Sequence, residues 1–164
     1  MLLKKVCMLG SFAVGKTSLV RRYVGGIFSD TYLTTVGVKI DNKIVQAGEN
    51  EVKLVLWDLA GDDEFQKMRW TYLRGAFGYL LVADGTRAAT LAKAEALEQE
   101  MRQEFGAKPF VFLINKSDRR SEWEMETAWQ EGLVARGWDI FYTSAKTGEG
   151  VEEAFSKLTA KMPL

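Results

Sequence analysis

The segment GSFAVGKTSL, residues 10–19, combines residue types at a spacing that suits the binding of phosphate groups. It follows the pattern G-x-x-x-x-G-K-[ST], with Gly10, Gly15, Lys16 and Thr17 at the fixed positions. In such a loop, backbone N–H groups surround phosphate oxygens, the lysine reaches the outer two phosphates and the threonine hydroxyl binds Mg²⁺. The residues predicted to bind phosphate or its metal are Ala13, Val14, Gly15, Lys16, Thr17 and Ser18.

The sequence around this loop supplies the structural context that the pattern needs. The apolar run KKVCMLG predicts a strand ending at Gly10, and a helix is predicted to begin at Ser18. The alternative is a glycine-rich turn with a solvated lysine, which leaves the spacing of Gly15, Lys16 and Thr17 unexplained. Phe12 is the unusual residue here, because it adds bulk to a loop that must close around phosphate.

A second polar loop, WDLAG at residues 57–61, follows the predicted strand VKLVLWD. The Asp58 carboxylate can bind Mg²⁺ through water, and the backbone N–H of Gly61 can approach a γ-phosphate. We therefore predict that Asp58 is a metal ligand and that Gly61 binds phosphate.

Two further loops, NKSD and TSAK, follow the fifth and sixth predicted strands. A carboxylate at Asp118 can accept hydrogen bonds from the N1–H and exocyclic amine of guanine, which adenine does not offer. The N–H of Ala145 is predicted to meet guanine O6, while Lys146 or Ser144 braces the loop. Each tetrapeptide alone is also compatible with an ordinary polar loop. Four loops in order at predicted strand ends favour a site for GTP or GDP.

The elements that must position these loops form an alternating pattern. Five apolar runs predict strands buried on both faces of a parallel sheet: KKVCMLG, VKLVLWD, GYLLVAD, KPFVFLIN and WDIFYTS. The segment VGVKIDNKIVQAGENEVKLVLWD predicts an antiparallel edge hairpin with its turn at residues 48–50. The predicted fold is α/β, a P-loop NTPase fold with a doubly wound, six-stranded, mostly parallel sheet and about five helices.

Helix boundaries are predicted at three places. Apolar residues at helical spacing before Gly106 indicate a helix that ends there, and Val151 begins the apolar stripe of the last helix. Ser121 and Glu124 form a predicted capping box for a helix that runs toward Gly137. The tryptophans of that region are expected to pack rather than to stack on bases; they are Trp123, Trp129 and Trp138.

Composition limits the class of protein. The 164 residues, 47% hydrophobic and 27% charged, predict one globular domain over residues 1–164. Lys+Arg and Asp+Glu both number 22, so no global field favours nucleic acid or an acidic membrane. The single cysteine, Cys7, lies in an apolar run and predicts a buried thiol. No signal peptide or apolar run of about 20 residues is found, so we expect a cytoplasmic protein. We also expect a monomer.

From the first strand to Leu158, the chain resembles the small GTPases of the Ras superfamily. The segments YLTTVGVKI, WDLAG and TYLRGAFGYLLVAD resemble the Rab branch in particular. The resemblance implies a GDP/GTP switch that acts through protein effectors and regulators. It implies that Thr35 binds Mg²⁺ and the γ-phosphate, and that Phe28 packs edge-on against the base.

The resemblance also implies two segments that change conformation with the nucleotide. Residues 28–38 would be switch I and residues 58–74 switch II, ordered by γ-phosphate contacts and released on hydrolysis. Lys116 would lie along the purine, and Asn115 would tie the base loop to the phosphate loop. The candidate catalytic residues are Lys16, Thr35, Gly61 and Asp62.

Two departures from the family pattern concern hydrolysis. The family's WDTAGQE becomes WDLAGDDE, so Asp62 replaces the glutamine that orients the attacking water. A carboxylate cannot donate a hydrogen bond to the developing charge and adds repulsion to it. Phe12 stands where a small residue borders the γ-phosphate and would obstruct water and an arginine finger; alternatively it turns away and packs near Trp70 or Met68.

A third departure concerns lipidation. The sequence stops at KLTAKMPL and its only cysteine is Cys7, so we expect no encoded prenyl anchor. Either the protein reaches its partner by protein contacts, or a tail lies outside this sequence. Three functions are weighed: a slow GTPase switch, a GTP-binding interaction module with negligible turnover, and another phosphate-site enzyme such as a small-molecule kinase. The third class does not account for NKSD and TSAK.

Overall fold

A computed structural model describes residues 1–25, 32–33, 38–58 and 69–163. One sheet contains β1 (Leu2–Gly10), β2 (Tyr32–Leu33), β3 (Lys39–Ala47), β4 (Asn50–Asp58), β5 (Gly78–Asp84), β6 (Phe110–Asn115) and β7 (Ile140–Thr143). The spatial order is β2-β3-β4-β1-β5-β6-β7. Five strands are mutually parallel, and β3 pairs antiparallel with β4. The predicted fold class is confirmed, and the short β2 extends the edge hairpin.

The helices lie on both faces of this sheet. They are α1 (Lys16–Val24), α2 (Arg69–Leu73), α3 (Ala88–Phe105), α4 (Thr127–Ala135) and α5 (Val151–Lys161), with a 3₁₀ helix at Ser117–Glu122. Apolar residues of α1 and α5 join one buried cluster. Apolar residues of α2, α3 and α4 join a second cluster on the opposite face.

The alternation of side chains along the strands explains the two clusters. In β1, Val6 and Met8 belong to the first cluster, whereas Cys7 and Leu9 belong to the second. All seven residues of β5 are buried, as expected of a central parallel strand. Cys7 is buried as predicted, and burial raises the pKa of its thiol to about 12. The thiol is therefore protonated and packs as a small apolar group.

Strand register brings the ends of the parallel strands to one edge of the sheet. Met8 of β1 pairs with Asp58 of β4. Asn115 of β6 pairs with Asp84 on one side and with Thr143 on the other. The loops that the sequence selected for their chemistry therefore leave the sheet at the same edge.

The predicted capping box at Ser121 and Glu124 is wrong. The helix α4 begins at Thr127, and its N-cap residue Glu126 makes no side-chain cap hydrogen bond. The carboxylate of Glu124 instead accepts a hydrogen bond of 2.7 Å from the backbone N–H of Ala88, the first residue of α3. Glu124 thus satisfies an N-terminal donor of a different helix, which is distant in sequence.

The three tryptophans pack as predicted. The ring of Trp138 meets Phe110 and Phe112 edge-on, and the ring of Trp129 also meets Phe112 edge-on. Trp123 meets Tyr142 of β7 at 5.2 Å. Across the described parts of the chain, we find no helix long and apolar enough to cross a membrane.

Candidate functional site

The loop between β1 and α1 closes around the ammonium group of Lys16. The Lys16 Nζ donates hydrogen bonds to the carbonyl oxygens of Gly10 at 2.7 Å and Ser11 at 3.3 Å. Gly15 precedes α1 with φ at 105°. A Cβ there would lie 2.2 Å from Asn115 Nδ2, so both the backbone angle and the space require glycine. The helix begins at Lys16, two residues before the predicted start.

A pair of oxygen-bearing side chains lies between this loop and the end of β4. The Thr17 hydroxyl donates a hydrogen bond to the Asp58 carboxylate, although the two residues are 41 positions apart. Burial raises the pKa of Asp58, while the Thr17 hydrogen bond and the nearby charge of Lys16 oppose that rise. Hydroxyl and carboxylate oxygens are hard ligands, and this donor set fits Mg²⁺.

The base loop is tied to the phosphate loop by one side chain. The Asn115 Nδ2 donates to the carbonyl oxygen of Val14 at 3.0 Å, and its Oδ1 accepts from the Thr143 hydroxyl at 3.2 Å. The expected tie from Asn115 to the phosphate loop is therefore present. Because Asn115 is buried at the end of β6, it fixes the spacing between the two loops.

The carboxylate of Asp118 is oriented by the loop after β7. Asp118 Oδ1 accepts a hydrogen bond of 2.9 Å from the Ser144 hydroxyl. The Ser144 hydroxyl also accepts from the backbone N–H of Thr147 at 3.1 Å. Of the two braces that the sequence allowed, Ser144 makes this contact; Lys146 is exposed.

Asp84 contacts the candidate site, and the sequence analysis did not select it. It is buried at the end of β5, where its carboxylate pairs with Lys116 Nζ at 2.8 Å and Arg87 Nε at 3.0 Å. Burial opposes its ionisation, but hydrogen bonds from Lys116, Thr86 and Arg87 prevail and lower the pKa of Asp84 to about 2. The signal was available, since GYLLVAD ends in a carboxylate at the same sheet edge as the other loops.

Arg87 extends the charged network of Asp84 to the phosphate loop. The Arg87 Nη2 donates a hydrogen bond of 2.9 Å to the carbonyl oxygen of Phe12. The Phe12 side chain is 73% exposed. The Trp70 ring meets the Phe105 ring at 5.8 Å, and Met68 lies outside the described residues, so the packing of Phe12 near Trp70 or Met68 stays a prediction.

A cleft of about 440 Å³ opens between the phosphate loop and the base loops. Its lining consists of Gly15, Ser18, Asn115, Lys116, Asp118, Arg119, Ala145 and Lys146. All of these except Arg119 are residues that the sequence analysis predicted to bind the guanine nucleotide. The fold brings them to a single concave surface of a size that suits a small molecule.

A Ras family model matches residues 5–164 of the chain. The protein belongs to the Ras family. Its relatives in that family include GTP-binding protein ypt5 of Schizosaccharomyces pombe, 36% identical over 98% of this chain and 78% of the relative. Ras-related protein Rab-17 of Mus musculus is 36% identical over 96% of this chain and 75% of the relative. Ras-related protein Rab-32C of Dictyostelium discoideum is 32% identical over 94% and 70%.

These relatives make the chain a Rab-like member of the Ras family. Four predicted site residues lie outside the described part of the structure: Phe28, Thr35, Gly61 and Asp62. Most of the two proposed switch segments also lies outside it. Their roles therefore stay predictions.

Proposed function

We propose that this Ras-family protein is a molecular switch that binds GTP and GDP with Mg²⁺, hydrolyses GTP slowly and signals through residues 28–38 and 58–74. Membership of the Ras family supports a GTP-binding switch. Residues 1–164 act as one G domain and one monomer in this proposal. Its partners are protein effectors and regulators that read the two switch segments.

The arrangement of Asp118 carries the proposal. Its carboxylate is oriented by Ser144, and the same loop is linked to the phosphate loop through Asn115. A carboxylate held at this end of the cleft can accept both the N1–H and the exocyclic amine of guanine. Adenine lacks this donor pair, so the site discriminates between the two purines.

The remaining contacts of the nucleotide are assigned to the two phosphate loops. Backbone N–H groups of residues 13–18 and the Lys16 ammonium bind the phosphates. Thr17 and Asp58 fit the metal, which neutralises phosphate charge when it is bound, and Thr35 completes its ligands. The Gly61 N–H and Asp62 face the γ-phosphate. The guanine base at the other end of the nucleotide is bound by Phe28, Lys116, Ala145 and Lys146.

The second candidate is a GTP-binding interaction module with negligible hydrolysis. Asp62 stands in place of the water-orienting glutamine, and the exposed Phe12 ring belongs to the phosphate loop. Both features oppose water attack at the γ-phosphate. The two candidates share the same binding residues and differ only in the rate of phosphate release.

Two measurements on purified protein test the proposal. The first is equilibrium binding to GDP, GTP, ADP and ATP with Mg²⁺, for which we expect guanine nucleotides to bind more tightly by about 100-fold or more. Equal affinity for ATP and GTP would reject the guanine site. The second is release of γ-phosphate in a single turnover. Slow but complete release supports the switch, whereas GTP that co-purifies and stays intact supports the interaction module.

A further inference from the structure

The base loop contains a residue with an unfavourable backbone conformation. Lys116 has φ at 72° and ψ at 42°, in the left-handed region. Among the described residues, Ala13 is the other non-glycine with positive φ. For a residue with a Cβ this conformation costs on the order of 1–2 kcal/mol, so contacts from neighbouring residues must stabilise it.

The contacts on Lys116 come from three directions. Its carbonyl oxygen accepts hydrogen bonds of 2.9 Å from the backbone N–H of Arg119 and of 2.9 Å from Trp123 Nε1. Its ammonium group pairs with Asp84 at 2.8 Å. The Arg119 bond is part of the local 3₁₀ turn, whereas the Trp123 bond comes from the residue that follows this turn. The indole N–H is therefore an added anchor for the base loop.

The indole ring of Trp123 is itself held in place by close packing. A Cβ on Gly85 would lie 2.3 Å from Cε2 of the Trp123 ring, so the ring packs directly on the glycine backbone. The other contacts are the Tyr142 ring at 5.2 Å and the guanidinium of Arg120, 4.7 Å from the Trp123 centroid. These contacts restrict the ring to a position from which its N–H reaches Lys116.

Gly85 also belongs to the backbone network of the site. Its N–H donates to the Asn115 carbonyl at 3.1 Å, and its carbonyl accepts from the N–H of Glu124 at 2.9 Å. Gly85 lies directly after Asp84, the partner of the Lys116 ammonium. Because its backbone is fixed in this way, Gly85 offers the ring a rigid surface beside the base loop.

We propose that Trp123, seated on Gly85, is a positioning residue that holds the base loop in its binding conformation and prolongs the lifetime of bound guanine nucleotide. The inference rests on the proposed function. Without the indole N–H, Lys116 can relax from its left-handed conformation, and nucleotide binding must then restore that conformation. The bound state of the variant then carries the free-energy cost of the left-handed conformation, and the free state does not. Bound nucleotide is therefore less stable, and its release becomes faster.

The test is the rate of release of fluorescent mant-GDP on addition of excess GDP, with the mant group excited directly. Trp123→Phe keeps an aromatic ring but removes the N–H donor. We expect release about fivefold faster, the size of one neutral hydrogen bond. Gly85→Ala displaces the ring and should also accelerate release. Because both changes act on one contact, the double variant should release no faster than the faster single variant.

Trp129→Phe is the matched control. The Trp129 indole also donates a hydrogen bond, to Glu95 at 3.2 Å, and its ring packs on Phe112, away from the base loop. We expect it to lower the free energy of unfolding while leaving mant-GDP release within twofold of the parent. If all three variants accelerate release in proportion to lost stability, Trp123 has only a structural role.

The outcomes separate this inference from the proposed function. If the parent does not bind mant-GDP, the proposed function fails. If the parent binds mant-GDP and both Trp123→Phe and Gly85→Ala release it at the parent rate, the positioning role fails alone. If Trp123→Phe does not fold, Gly85→Ala by itself decides the question, with urea unfolding as the check on its stability.

Discussion

The carboxylate of Asp118 is held in place by a neighbouring side chain. One of its oxygens accepts a hydrogen bond from Ser144, so the plane of the carboxylate is set before a base arrives. Preorganisation of this kind lowers the entropic cost of binding. In the proposed function, the charge of Asp118 and its orientation together make it the residue on which guanine recognition depends.

We expect Asp118→Asn to exchange guanine for xanthine. The amide keeps one acceptor but brings a donor toward the guanine amine, so GDP should bind about 3 kcal/mol more weakly, on the order of 100-fold. Xanthine offers an acceptor at that position and should bind more tightly to the variant than to the parent. Titration with GDP and xanthosine diphosphate measures both changes. An unchanged GDP affinity would show that Asp118 does not contact the base.

Phe12 and Asp62 act on one proposed step. Asp62→Gln supplies an amide that can orient water, and Phe12→Gly opens the space through which that water arrives. We expect the double variant to gain more in ΔΔG‡ of single-turnover hydrolysis than the two single variants together, since neighbours that serve one step couple. If the parent already turns over as fast as the double variant, another residue positions the water.

At the scale of elements, the N-terminus of α3 is joined to the segment that precedes α4. Glu124 accepts a hydrogen bond from Ala88 N–H, and its own N–H donates to Gly85. The first turn of α3 contains no acidic residue, so Glu124 provides the negative charge there from a distant part of the chain.

We expect Glu124→Ala to lower the free energy of unfolding by about 1 kcal/mol, the usual effect of losing an N-terminal acceptor. Glu126→Ala is the control, because Glu126 occupies the N-cap position of α4 without a side-chain cap hydrogen bond. Its effect should stay within about 0.5 kcal/mol. Urea unfolding measures both, and equal effects would show that Glu124 does not cap α3.

Asp84, at the end of β5, makes the free energy of unfolding depend on pH. The pKa of Asp84 is lowered in the folded protein to about 2, so its charged contacts stabilise the fold above its ordinary pKa near 4 and are lost as pH falls from about 4 toward 2. Asp84→Asn should therefore destabilise at pH 7, and its difference from the parent should shrink below about pH 4. Urea unfolding of both proteins from pH 7 to pH 3 measures this difference. A difference that stays constant across this range would contradict the ion pairs.

The elements also show what the sequence could predict. The strands, the edge hairpin and the loops at the sheet edge follow from local sequence patterns, and these predictions are confirmed. The capping box failed because Glu124 and Ala88 are 36 positions apart, and no local pattern indicates which helix end a carboxylate will reach. Asp84 was missed although GYLLVAD ends in a carboxylate. Its partner Arg87 lies three residues away, but its partner Lys116 is 32 positions away and reaches it only after β5 and β6 pair.

At the scale of the whole molecule, the sheet lies between two apolar clusters, and one edge of the sheet carries the polar side chains of the candidate site. The five parallel strands deliver their loops to this edge, and side chains from different loops join them: Asn115 to Val14, Thr17 to Asp58, and Arg87 to Phe12. Each of these contacts spans 41 or more residues of sequence. A ligand bound among the loops is therefore expected to stabilise the entire fold.

Because the loops are joined in this way, nucleotide binding should raise the midpoint temperature of thermal unfolding, Tm. A ligand that binds only the folded state stabilises it by about 4 kcal/mol at 1,000 times its Kd. For a chain of this size, GDP with Mg²⁺ should then raise Tm by about 10 °C. ATP at the same concentration serves as the control and should leave Tm within about 2 °C. Differential scanning calorimetry across a GDP series should show Tm rising with the logarithm of GDP concentration; a Tm independent of GDP would mean that the loops at the sheet edge do not bind it.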